Sequence, residues 1–225
     1  MKSIKHILLD LDRTLLDFDL AMDTAIRQVL TQFGCKDIED GAREYAQINA
    51  RYWKMLERKE ITFERLEVER FKDLADYCGF DVQKEVLAEC YMSNLAKNAQ
   101  KLQGADVVLD YLYPRYPLSL VTNGIARITR SRCAIAGFMP YFENLFISSE
   151  IGVSKPDKSY FEYVLNALNI EDPSQVLIIG DSLSADIKGA KNVGITTLWL
   201  NKLGEDDPSA DMVISDLYSV MDVIP

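Results

Sequence analysis

The chain has 225 residues, 48% of them hydrophobic, which is enough for one large domain or for a core domain carrying a smaller insertion. Lys and Arg total 25 against 35 Asp and Glu, a net charge of −10. That balance argues against nucleic acid or an anionic membrane as partner, while leaving room for a small anionic substrate in a locally positive pocket.

No apolar run approaches the roughly 18 residues of a membrane span. The opening MKSIKHILLDLDRTLL is basic and then apolar, but Asp10 and Asp12 break the run and no small-residue cleavage site follows; it reads as a first buried strand rather than a signal peptide. The four cysteines, Cys35, Cys78, Cys90 and Cys133, form no CxxC pair. Reduced, mostly buried thiols in a cytoplasmic protein are expected, and a zinc site is not. The only histidine is His6, so histidine catalysis is not expected either.

After the first strand, residues 17–100 read as helical almost throughout. Ile26, Val29, Leu30 and Phe33 keep helical spacing, and Gly34 offers a stop. Tyr45, Asn49, Tyr52, Trp53 and Leu56 share one face of a second helix. Thr62 suits the cap of a third, whose stripe is Phe71, Leu74, Ala75 and Cys78 before Gly79. Asp81 suits the cap of a fourth, running to about Lys97. Four helices with short connections imply a small bundle.

The remainder alternates strand and helix. Short apolar runs stand at Ile7–Leu9, Leu118–Val121, Leu145–Ile147, Val176–Ile179, Thr197–Leu200 and Met212–Ile214. One intervening helix is expected to start at Pro156, with Phe161, Val164, Leu165 and Leu168 on its buried face. Fully apolar strands between helices predict an α/β fold: a Rossmann-like parallel sheet with helices on both faces. The first strand must join that sheet, so residues 1–16 and 101–225 are expected to form the core domain. Residues 17–100 are then an inserted helical-bundle cap, with hinges near Leu16–Asp19 and Asn98–Gly104.

Ligands of such sheets bind at the carboxyl ends of the strands. Four segments put unusual polar residues there. Asp10-Leu11-Asp12-Arg13-Thr14 follows the first strand; two carboxylates this close need a shared cation or a proton, although an acidic turn is the plainer account. Thr122-Asn123-Gly124 offers a hydroxyl, an amide and a glycine for an oxyanion cradle, or only an Asn-Gly turn. Lys155 before Pro156-Asp157 places a cation beside a helix start, where phosphate binds well, or is a solvated surface charge. In Gly180-Asp181-Ser182-Leu183-Ser184-Ala185-Asp186, Asp186 is explained by acid at a helix start, but Asp181, straight after a buried strand, is not.

Together and in this order the four segments resemble the haloacid dehalogenase superfamily, with its DxDxT first motif, Thr/Ser second, Lys third and GDxxxxD-type fourth. The helical insertion resembles that superfamily's small cap. The resemblance implies a phosphomonoester hydrolase in which Asp10 is the nucleophile and Asp12 the general acid and then base. It implies Mg²⁺ held by Asp10, the backbone carbonyl of Asp12, Asp181 and, directly or through water, Asp186. Thr122, Lys155 and backbone N–H groups near Leu11 and Asn123 would hold the phosphoryl oxygens. The superfamily's dehalogenases lack an acid at position 12, so Asp12 favours phosphoryl transfer. Arg13 stands where many relatives carry glycine.

A narrower resemblance is to bacterial house-cleaning pyrimidine 5′-nucleotidases. It is carried by Leu15-Leu16-Asp17-Phe18, by Tyr45, Ile48, Asn49 and Trp53, by Ile61-Thr62, by the Gly180–Gly189 stretch and by Trp199-Leu200-Asn201. It implies a nucleoside monophosphate as partner, with Asn49, Trp53 and Arg13 setting specificity. Trp53 as bundle core, a sugar phosphate or phosphoglycolate as substrate, and a non-catalytic scaffold remain the alternatives.

Overall fold

The computed structural model describes residues 4–58 and 60–225. Residues 1–3 of the expected first segment and residue 59 of the expected helical block lie outside the described residues. The chain divides into two compact units, Met1–Phe18 with Ala99–Pro225, and Asp19–Asn98.

The first unit is built on six strands: β1 (His6–Leu9), β2 (Leu118–Thr122), β3 (Asn144–Ile147), β4 (Val176–Gly180), β5 (Thr196–Leu200) and β6 (Met212–Ile214). They form one sheet in the order β3-β2-β1-β4-β5-β6, and every pairing is parallel. This is the doubly wound order whose crevice opens where successive crossovers leave in opposite directions. Side chains alternate between two apolar layers. Ile7, Leu9, Leu120, Leu177 and Ile179 face one core, and Leu8, Val121, Val176 and Ile178 face the other. Both faces are covered, which is why these strands are mostly apolar.

The helices of the second unit are α1 (Phe18–Gln32, its first residue in the first unit), α2 (Ile38–Glu57), α3 (Phe63–Cys78) and α4 (Lys84–Leu95). Those of the first unit are α5 (Ala105–Leu112), α6 (Ala126–Ile135), the one-turn α7 (Ser148–Ile151), α8 (Lys158–Ala167), the short α9 (Gly189–Lys191) and α10 (Val220–Val223). Ahead of α9, Leu183–Lys188 forms a π-helical turn. Where the chain leaves and re-enters the first unit, its two strands of backbone pair: the Asp17 N–H donates to the Gln100 carbonyl at 2.8 Å, and the Leu102 N–H to Leu15 at 2.9 Å.

Two helix starts differ from the sequence expectation. Thr62 caps α3 as expected, its side chain accepting from the Arg65 N–H, and Gly79 ends that helix in the left-handed conformation. Asp81, however, does not cap α4, whose cap position is Gln83 without a side-chain bond. Pro156 does not start α8 either. Asp157 is the cap, accepting from the Ser159 N–H, so Pro156 stands in the loop before it. Within α2 the expected face is buried at Tyr45 and Asn49, half-buried at Tyr52 and Leu56, and exposed at Trp53.

Candidate active site

Three strands deliver the chemistry. β1 ends at Leu9 and is followed by Asp10, β2 ends on Thr122, and β4 ends on Gly180 and is followed by Asp181. These three strands are neighbours, so the hydrogen-bonding of the sheet alone brings the three ends together.

Lys155 ties two of the segments. Its ammonium donates to Asp10 Oδ1 at 2.8 Å, to Asp186 Oδ1 at 2.6 Å and to the Val121 carbonyl at 2.9 Å. All three donors of the ammonium are thus taken by the protein. Lys155 is 4% exposed, neither a solvated surface charge nor a cation held by a helix start. Burial works against its charge, but Asp10 and Asp186 outweigh that and raise its pKa. Its position is fixed by Asn123, whose amide nitrogen donates to the Lys155 carbonyl while its Oδ1 accepts from the Lys155 N–H, both at 2.8 Å. The Asn123 side chain is therefore a clamp on Lys155, not part of an oxyanion cradle. Gly124 is needed for space: a Cβ there would lie 2.3 Å from Thr129 Oγ1.

The fourth segment locks Asp186 in the same manner. Its Oδ2 accepts from the Ser182 N–H at 3.0 Å, while Ser182 Oγ accepts from the Ala185 N–H at 3.1 Å. Gly180 permits this, since a Cβ there would lie 2.4 Å from the Asp186 carboxyl carbon. Asp181 is held by two residues to which the sequence reading gave no role. Its N–H donates to Thr14 Oγ1 at 3.1 Å, and its carbonyl accepts from the Trp199 indole at 2.9 Å. Thr14 was visible as the last letter of the first motif, while Trp199 carries no local signal of that contact.

Oxygens of Asp10, Asp181 and Asp186 lie within 4.8 Å of one another. Burial first, then Asp10 and Asp186, pushes the Asp181 carboxyl up to about 7. Burial, offset by Lys155 and reinforced by Asp10, brings Asp186 to about 6. Crowded carboxylates resisting ionisation mark a place suited to a cation. The donors are hard oxygens with neither sulfur nor imidazole, a set that fits Mg²⁺.

Asp12 meets a different cation. Its Oδ1 accepts from Nη1 of Arg132, a residue 1% exposed on α6. Burial raises the Asp12 carboxyl, Arg132 opposes the rise and Asp10 adds to it. Sequence reasoning missed Arg132, although it lies on the buried stripe of α6 with Ile128, Thr129 and Cys133. The Leu11 carbonyl accepts from the N–H groups of Leu15 and Leu16, which closes the turn carrying Asp12 and Arg13. Arg13 has φ 66°, its carbonyl accepts from Lys202 at 2.6 Å, and its guanidinium lies 5.2 Å from the centre of the Phe18 ring. A left-handed residue here explains why glycine suits this position.

Asn49 and Trp53 belong to the second unit. Asn49 is 8% exposed, and its Oδ1 accepts from Arg70 at 2.7 Å. Trp53 is 40% exposed and meets Phe63 edge-on, so it is not bundle core.

With this geometry in view, the known proteins decide the family. The model of the haloacid dehalogenase-like hydrolases matches residues 7–200. The chain belongs to that family. It is 38% identical over 221 residues to the pyrimidine 5′-nucleotidase PynA of Streptococcus pneumoniae, covering 98% of this chain and 93% of that protein. To the pyrimidine 5′-nucleotidase YjjG of Escherichia coli it is 30% identical over 202 residues, with coverage of 90% and 88%. Its structure is similar to that of the HAD-hydrolase YfnB of Bacillus subtilis bound to magnesium, at TM-score 0.91 and 30% identity over 99% of each chain. This member of the family is accordingly a hydrolase by kinship. Among the described residues no helix is long and apolar enough to cross a membrane.

Proposed function

We propose that the chain is a Mg²⁺-dependent pyrimidine 5′-nucleotidase that works through a phosphoaspartate on Asp10. The observation carrying the chemistry is the meeting of Asp10, Asp181 and Asp186 around Lys155. Substrate class rests on the similarity to PynA and YjjG.

Lys155 holds Oδ1 of Asp10, so the carboxylate is oriented and Oδ2 is the oxygen left to attack phosphorus in line. As the Oδ2–P bond forms, the bond from phosphorus to the ester oxygen breaks, and Asp12 gives its proton to the departing nucleoside oxygen. Asp12 then takes a proton from water, whose oxygen attacks phosphorus. The Asp10–phosphorus bond breaks and inorganic phosphate leaves. Burial raises the Asp12 carboxyl against the pull of Arg132, the direction an acid needs. Thr122 and backbone N–H groups of the Leu11 and Asn123 turns bind phosphoryl oxygens. Lys155, with its donors committed, contributes charge and orientation. Asp10, Asp181 and the Asp12 backbone carbonyl would hold Mg²⁺, with Asp186 adding charge; the ion supplies neutralisation between carboxylate and phosphoryl group. In the second unit Trp53 is the candidate for stacking on a base, and Arg13 remains a candidate contact.

The test is a phosphate-release screen with Mg²⁺ across nucleoside monophosphates, sugar phosphates and phosphoglycolate. Pyrimidine monophosphates are expected to lead. A sugar phosphate leading the screen would leave the phosphatase chemistry standing and remove the nucleotidase reading.

A further inference from the structure

The second unit brings two cysteine sulfurs into contact. Cys35 lies just past the end of α1 and Cys78 is the last residue of α3, yet their Sγ atoms are 3.7 Å apart across 43 residues of sequence. The surroundings hold them there. Phe33 and Phe80, flanking the pair, pack with ring centroids 6.1 Å apart. The Cys35 N–H donates to the Leu30 carbonyl at 2.8 Å, and the Phe80 N–H to the Ala75 carbonyl at 2.9 Å, so backbone bonds close both helix ends. The first turn of α2 presses on the same place: a Cβ on Gly41 would lie 3.1 Å from Cys35 Sγ. The pair thus sits among three helices of one unit.

Neither sulfur has a strong partner to lose. The single S–H hydrogen of Cys35 has the Asp37 carbonyl at 3.2 Å and the Cys78 sulfur as acceptors, and a thiol donates and accepts weakly. Both cysteines are half-buried rather than buried, so a small reagent reaches them, whereas Cys133 is sealed in the core of the first unit. Cys90, the third half-buried cysteine, meets Gln32 and Asn94 instead of a second sulfur. A lone half-buried thiol is a small apolar filler. Two in contact have chemistry, because once one is oxidised the other is already in place to attack it.

We propose that Cys35 and Cys78 form a redox modification site, a dithiol that low-molecular-weight disulfides convert reversibly into an intramolecular disulfide. Burial first, then the bond to Cys35, pushes the Cys78 thiol up to about 12, so Cys78 keeps its proton and attack begins at Cys35. The Cys35 thiolate bonds to one sulfur of the external disulfide, whose S–S bond breaks and releases one thiolate. Cys78 then gives up its proton and bonds to Cys35 Sγ, and the second external thiolate leaves. The protein loses two electrons and two protons, and the external disulfide becomes two thiols. The new bond staples the turn between α1 and α2 to the end of α3.

The test incubates the folded full chain with glutathione disulfide, quenches with acid, alkylates the remaining thiols and maps the digest by mass spectrometry. The expected product carries a Cys35–Cys78 linked peptide with no glutathione retained on either residue. Cys90 stops at a mixed disulfide, and an unmodified Cys133 shows that the fold held. Cys78→Ser should retain one glutathione on Cys35, and reduced glutathione should strip it at a concentration about tenfold or more below that needed to open the internal bond. Closing so long a loop should raise the thermal midpoint of the wild type by about 4 °C or more, and dithiothreitol should return it. Separate mixed disulfides on Cys35 and Cys78, or a link that appears only together with modified Cys133, overturns the proposal. So does a linked chain that melts below the reduced one. The wild-type digest decides alone if Cys78→Ser does not stay folded.

Discussion

Lys155 Nζ lies 2.8 Å from Asp10 Oδ1, across 145 residues of sequence, and both side chains are buried. The second carboxylate on that ammonium, Asp186, and the Val121 carbonyl complete its three bonds. Lys155→Met therefore leaves two buried carboxylates facing each other. Removing one partner of a buried pair costs about 3–5 kcal/mol, and losing an electrostatic stabiliser of the reacting centre lowers kcat by about a hundredfold or more. Chemical denaturation and steady-state kinetics measure the two losses. Lys155→Arg should not rescue activity, because a planar fork cannot reproduce three bonds radiating from one nitrogen. A Met variant with wild-type kcat would show that Lys155 only packs.

The carboxylate cluster predicts a response to metal that does not depend on turnover. Asp181 is pushed up to about 7 largely by burial and by its acidic neighbours. A divalent cation relieves that repulsion, so Mg²⁺ should raise the thermal midpoint in proportion to the logarithm of its concentration above Kd. Asp181→Asn should weaken that shift, and a chelator should abolish activity in the wild type. Zinc should substitute poorly, as no thiol or imidazole joins Asp10, Asp181 and Asp186. An enzyme fully active after chelation and dialysis would refute the metal.

Much of this is legible in the sequence. The strands are short apolar runs because both faces of a parallel sheet are covered, and their observed limits differ from the apolar runs by a residue or less at each end. Polar residues at the ends of such runs stand out against them, which made Asp10, Thr122 and Asp181 visible. What stayed hidden is tertiary. Arg132 and Arg70 stand on the buried stripes of their helices, but nothing local names the partners, 120 and 21 residues away, that hold them there. The engagement of the Asn123 side chain was hidden for the same reason, since its two bonds run to a loop 32 residues on. The α4 cap was misplaced because Asp81 and Gln83 are both reasonable starts locally, and the chain begins the helix at the later one.

Arg13 adopts φ 66°, where a side chain costs about 1–2 kcal/mol that glycine avoids. Arg13→Ala removes the contact with Phe18 and keeps that strain, whereas Arg13→Gly removes both. The glycine variant should be more stable than the alanine variant by about 1 kcal/mol in urea or guanidinium melts, the usual sign for Ala and Gly at ordinary positions being the reverse. Equal stabilities would mean that the turn relaxes away from the left-handed region when the arginine is gone.

His6 is the only histidine, so its imidazole resonances need no assignment. It is buried beside Ser119, with Nε2 2.9 Å from Oγ. Burial lowers its pKa, and Glu143 opposes the fall less strongly. Above about pH 6.5 the imidazole is neutral in folded and unfolded chains alike and adds no pH dependence. Below it the unfolded chain binds a proton that the folded chain resists, so stability drops as pH falls from about 6.5 towards the folded value. An NMR titration should place the folded midpoint below 6.5. His6→Asn should flatten the stability profile in that window. A midpoint at or above 6.5 would contradict the burial argument.

Asp12 gives the sharpest test of mechanism. Its Oδ1 is taken by Arg132, leaving Oδ2 to carry a proton, and burial raises its pKa despite that arginine. Asp12→Asn keeps the Arg132 bond, because the amide oxygen can still accept, but it has no proton to give as an acid. Phosphate binding should persist. Single-turnover release of nitrophenolate, a good leaving group that needs little protonation, should fall modestly. Release of an alkoxide from a nucleoside monophosphate should fall by about 10²–10⁴-fold, the usual span of general acid catalysis. Arg132→Met provides the contrast. It frees Asp12 from its cation without removing the acid, so it should disturb positioning for both substrates and leave their ratio nearly intact. Equal losses for the two leaving groups in Asp12→Asn would assign Asp12 to binding and require another acid.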